Sequence, residues 1–161
     1  MQKILSIYMF LLAILIGAEL FAGSIVAPTI FFPQSIIGEN VLTHFQSGQL
    51  MTVIFVKMGK VMMIVSIISF LYEMINLANN KTQSFALKFS QMAISGINLL
   101  LVVAFVLFFT DYIVNAQNTG ITATQTPEFA KIHSASELCI KILLLLQTIL
   151  FFIKFNTKDN K

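Results

Sequence analysis

The sequence predicts an all-α integral membrane four-helix bundle, and three observations carry that expectation. Of 161 residues, 57% are hydrophobic and 11% charged, against about 25% charged in ordinary soluble domains. The apolar residues gather into four runs, each long enough to cross a hydrocarbon core roughly 30 Å thick. The cleanest, 89–110, holds no charged residue. Backbone groups in lipid must bond internally, which leaves helices or a closed barrel, and these runs are too long and unbroken for barrel strands. A small soluble chain could not cover this much apolar surface, so the lipid bilayer is the first expected partner.

The four spans are expected at roughly 4–31, 51–77, 85–114 and 132–155, within one transmembrane domain covering 1–161. Span one follows Lys3 and resembles a signal peptide. Its cleavage sites are poor, with Leu20 two residues before Ala22 and Ile16 two before Ala18, so a retained helix is expected. Pro28 and Pro33 should end or kink it. Its small residues Ala13, Gly17, Ala18, Ala22, Gly23 and Ala27 permit close helix contact.

In span two, Met51, Met58, Met62, Ser66, Ser69, Glu73 and Asn76 recur at helical spacing and share one face. Gln91, Ser95 and Asn98 do the same in span three. In span four, His133, Glu137 and Lys141 step by four, with Gln147 and Thr148 on the same side. The stretch 115–127 is rich in Thr, Asn and Gln and reads as a polar loop.

Lysine supplies every basic residue. Lys3, Lys81, Lys88, Lys154, Lys158 and Lys161 flank one side of the spans, while the other side holds Glu39, Asp111, Glu128 and Lys131. The positive-inside rule then places both termini and the 78–88 loop in the cytoplasm, most naturally of a bacterial inner membrane. Lys57 and Lys60 oppose this slightly and are expected to snorkel to the outer headgroups. The net charge of +3 is spread over helix ends, which is no nucleic-acid signature. A single cysteine, Cys139, excludes an internal disulfide and any CxxC site.

An ionisable residue inside a span is costly and marks a candidate site. Rise per residue places Glu19, His133, Glu137 and Lys141 in an outer polar cluster, and Glu73 with Gln91 and Asn98 in an inner polar layer. Glu19 and Lys141 could pair as a structural ion pair or frame an ion site. Glu137 and Lys141 could equally pair with each other. His133 reads as an interfacial histidine, with a ligand or proton-accepting role as the alternative. Met58 and Met62 read first as core packing. Thioethers suit Cu(I), so Met51, Met58 and Met62 beside His133 or His44 form a copper candidate set.

Two stretches carry a family resemblance. Gly17-Ala18-Glu19-Leu20-Phe21 followed by 26–31 (VAPTIF) resembles the first helix of a family of small four-span membrane proteins. The stretch 129–136 (FAKIHSAS) resembles the opening of that family's last helix, where a histidine and a serine recur at this spacing. The family is a domain-of-unknown-function group, similar in layout to CopD-like copper-resistance proteins and HemJ-type protoporphyrinogen oxidases. The resemblance implies a four-helix bundle with a matched position at His133. The HemJ-type enzymes carry a haem-ligating histidine in the first helix, where this chain has Glu19 and no histidine.

No Gly-rich phosphate loop, GxSxG or HExxH motif is present. The expectation is a non-enzymatic membrane protein whose polar outer-half cavity binds or passes a small ion or metal. A haem-dependent oxidase and a structural subunit, as a homo-oligomer or in a membrane complex, are the alternatives.

Overall fold

The computed structural model describes residues 2–38 and 41–159. Glu39 and Lys161, both counted in the orientation argument, lie outside the described residues. Four long helices make up the fold, with no strand among the described residues. The first runs over Gln2–Phe21, passes through a π-helical turn at Ala22–Val26 and continues over Ala27–Phe31. The second is His44–Asn79. The third runs over Phe85–Ala104, a second π-helical turn at Phe105–Thr110, and Asp111–Thr119. The fourth is Pro127–Asp159. All four are long and apolar enough to cross a membrane.

Local chemistry sets the ends. Thr43 and Gln46 form a reciprocal capping box at the start of the second helix: the Gln46 amide donates to Thr43 Oγ1 at 3.2 Å, and the Thr43 amide to Gln46 Oε1 at 2.9 Å. Lys88 closes the same helix from the other side, donating to the carbonyls of Leu77 and Asn80. The Ser84 hydroxyl caps the third helix at the Leu87 amide, and Thr126 Oγ1 caps the fourth at the Phe129 amide. Gly120, at φ 125°, ends the third helix in a conformation that a side chain would strain.

Two of these boundaries differ from expectation, while the first helix ends at Phe31 as expected. The π turn before Pro28 moves the Ala27 amide onto the Ala22 carbonyl, and the chain stays helical until Pro33 follows Phe32. Residues 115–119 are helical rather than loop. Asn115 donates to Asp111 one turn back at 3.0 Å, and Gln117 crosses to Thr52 at 3.0 Å, so this end is held together by polar contacts. The second helix is 36 residues long, about 54 Å, and so exceeds any bilayer core.

Neighbouring helices run antiparallel. Tyr8, early in the first, meets Ser69, late in the second, at 3.1 Å. Ser47, early in the second, donates to the Ile30 carbonyl, late in the first. Lys154, late in the fourth, reaches Gln91, early in the third. Each helix packs on two others in a ring. Leu15, Met62, Val65, Val102, Phe105, Cys139 and Leu143 fill the centre. Tyr8, Leu12 and Leu150 form a second cluster towards the end that carries both termini. Large apolar side chains such as Phe10, Ile64, Leu100 and Phe152 remain exposed on the outside, the surface that lipid covers in a helical bundle.

Of the small residues of the first helix, Ala22 is buried, but Gly17 and Gly23 do not make the close contacts expected of them. A Cβ added at Gly17 or Gly23 would meet nothing within 4 Å. Close approach occurs instead between the second and third helices. There a Cβ at Gly59 would lie 3.0 Å from Val106, and one at Gly96 would lie 3.3 Å from Phe70.

Candidate functional site

Polar side chains gather at two levels of the bundle. At the end nearer the termini, Glu73 and Lys154 are 0% and 2% exposed and lie 2.6 Å apart. Lys154 also donates to Gln91 Oε1 at 2.7 Å, and Asn76 donates to the same oxygen at 3.1 Å. Asn80 continues the chain to Asn76 at 2.9 Å and turns the backbone by accepting from the Thr82 amide. Each charge in this cluster has an opposite charge or an amide beside it, as a buried ion pair requires. The sequence reading joined Glu73 and Gln91 but counted Lys154 only as a flanking lysine. Its spacing of seven from Gln147 puts the two on one helical face, and that is the signal that could have found it. Asn98 is buried in the third helix, but its Oδ1 has no hydrogen-bond partner among the described residues.

Towards the other end the four helices part around a cavity of about 550 Å³. Glu19, His133, Glu137 and Lys141 all border it. Glu19 is 4% exposed, and its Oε1 accepts from Gln147 Nε2 at 3.0 Å. Glu19 Oε2 and Gln147 Oε1 are buried without a hydrogen-bond partner among the described residues. Two orphaned acceptors side by side are unusual in a folded interior. The expected Glu19–Lys141 pair does not form. Lys141 is 73% exposed at its side chain and lies 3.8 Å from Glu137. Six residues separate Lys141 from Gln147, so the two leave the fourth helix on different faces, and it is Gln147 that turns inward.

His133 lies 3.3 Å from Glu137, with its side chain 47% exposed, and stacks on Phe129. His133, Glu137 and Lys141 thus form a solvated chain at the cavity's rim. The walls are mostly apolar and include five phenylalanines, Phe31, Phe45, Phe55, Phe105 and Phe129. Both π-helical turns contribute, through Gly23 and Ser24 on the first helix and Phe105 and Thr110 on the third. Such turns widen a helix locally and are frequent at functional sites. The hydroxyls of Ser24, Thr52 and Ser136 each donate to a carbonyl of their own helix. None is set against a histidine as a nucleophile would be.

Of the donors proposed for copper, Met51, His44 and His133 border the cavity, while Met62 is fully buried in the central core and Met58 packs against it. Among the described residues no three His, Cys, Asp or Glu side chains come together as a metal cage. For haem, His44 and His133 border the cavity from the second and fourth helices, and the first helix offers only Glu19.

An antiparallel ring of four apolar helices defines an all-α integral membrane protein, here with a cavity floored by a carboxylate. The chain belongs to the family described as a domain of unknown function, DUF4149, which matches residues 10–122. That stretch includes Glu19 and the first of the two resembling motifs, while 129–136 lies beyond it. No curated protein and no solved structure matches the chain.

Proposed function

We propose that this protein binds a small cationic or hydrogen-bond-donating solute in the cavity above Glu19, from the side of a bacterial inner membrane opposite the cytoplasm. The observation that carries this reading is the Glu19 carboxylate: buried, bordering the cavity, and with one oxygen lacking a donor. The back-bonded hydroxyls favour binding over catalysis. Orientation rests on the lysines, with both termini and Lys81 cytoplasmic. If lipid begins near Asn79, about 30 Å of helix ends near Lys57 and Lys60, both exposed. Those lysines then mark the outer headgroups. The mouth of the cavity, near His44 and Thr52, then stands beyond them, and Glu19 lies close to their level. The chain functions in this reading as a single transmembrane domain, alone or in a homo-oligomer or membrane complex.

The test is thermal stability in lipid nanodiscs across a panel of monovalent, divalent and organic cations. Gly23 borders the cavity with open space at its Cβ position, so Gly23→Phe should fill the cavity without a backbone clash. A solute that stabilises the wild type should lose its effect in Gly23→Phe and in Glu19→Gln. A solute that stabilises all three equally binds elsewhere, and the cavity would then have no claim to it.

A further inference from the structure

The walls of the cavity narrow the class of its occupant. A bare metal ion needs several hard or soft donors around it, and the only carboxylate at the floor is Glu19. The rim carboxylate, Glu137, is already engaged by His133 and Lys141. Five phenylalanines border the remaining space, Phe31 from the first helix, Phe45 and Phe55 from the second, Phe105 from the third and Phe129 from the fourth, among aliphatic and hydroxyl side chains. Ring faces attract a cation whose water has been removed. Glu19 borders the cavity, and its Oε2 and Gln147 Oε1 are buried with no hydrogen-bond partner among the described residues.

We propose that the cavity is a site for a lipophilic organic ammonium, an apolar molecule carrying a protonated amine. The amine's N–H groups donate to Glu19 Oε2, and its apolar body lies against the phenylalanine walls. This rests on the cavity reading above and assigns its ligand class. Protonated amines supply both what the floor lacks, a donor with positive charge, and what the walls accept, apolar area. A volume of about 550 Å³ falls within the ordinary range for small-molecule sites.

The experiment is calorimetric titration of the full chain in nanodiscs, with empty nanodiscs subtracted, using three probes of matched shape. They are 4-phenylbutylamine, protonated at pH 7, 4-phenylbutanol, and 5-phenylpentanoate. The amine should bind at least tenfold more tightly than the alcohol, and the carboxylate should not bind. Glu19→Gln should remove the amine's advantage and leave the alcohol unchanged, while Gly23→Phe should abolish both. Equal affinity for amine and alcohol in the wild type, or an amine preference that survives Glu19→Gln, overturns the ammonium assignment. If both ligands are lost in Gly23→Phe, the cavity itself still stands as the binding site. No binding of the amine also overturns the assignment, and the cation panel then judges the cavity independently.

Discussion

Lys154 Nζ lies 2.6 Å from Glu73 Oε2, both side chains are sealed from solvent, and the contact ties the fourth helix to the second. Gln91 extends the tie to the third helix and Tyr8, beside Ser69, brings in the first. One buried ion pair thereby fixes the relative heights of the bundle's helices.

Removing either charge should be severe. Glu73→Gln or Lys154→Met leaves the partner buried and uncompensated, a loss of about 3–5 kcal/mol. The double variant should lose less than the sum of the two, because it leaves no stranded charge. Detergent-solubilised unfolding curves for the four proteins give the coupling directly, and additive losses would mean that the two groups do not interact.

Lys141 should behave in the opposite way. Its side chain is 73% exposed and its one ion pair is an exposed i,i+4 contact, a type of interaction worth about 0–1 kcal/mol. Lys141→Met should therefore leave the melting temperature nearly unchanged. Gln147→Leu should lower it by removing the hydrogen bond that Glu19 accepts from Gln147. A larger effect at Lys141 than at Gln147 would restore the ion pair that the sequence suggested.

The tight crossing of the second and third helices predicts a contrast between glycines. Gly59→Leu must displace Val106 and should cost about 1–3 kcal/mol. Gly17→Leu meets open space and should be tolerated. Paired thermal melts of the two variants decide the matter, and equal losses would contradict the packing.

Topology is testable by cysteine labelling in a Cys139→Ala background. An impermeant maleimide should reach Asn118→Cys from outside intact cells and Lys81→Cys only after the membrane is opened. The reverse pattern would invert the bundle and put the cavity on the cytoplasmic side.

The helical spans and their inward faces were legible because lipid imposes one secondary structure and helical spacing sorts polar from apolar positions. Met62, Ser66, Ser69, Glu73 and Asn76 share a face in the sequence and are all buried. Partner choice was less legible. Depth estimates put Glu19 and Lys141 at similar heights, but height does not say which face a side chain leaves from. Lys154 reads as a headgroup lysine because it sits in the charged tail; its spacing from Gln147 gives its face, and the fold shows Glu73 as its partner. The π turns left no trace in the apolar pattern, since one extra residue per turn shifts phase without changing composition.

The Glu73–Lys154 pair also bears on how the chain is made. Glu73 leaves the ribosome about 80 residues before Lys154, a delay of about 4–16 s at 5–20 residues per second. Once Thr119 has been made, the second and third helices are complete and the fourth is not. In the finished bundle Asn76 lies 3.1 Å from Gln91 and 3.5 Å from Glu73. Asn76 can therefore donate to the carboxylate while the hairpin waits in the bilayer. Arrival of the last helix then locks assembly, because its lysine completes a site that the earlier helices hold half built.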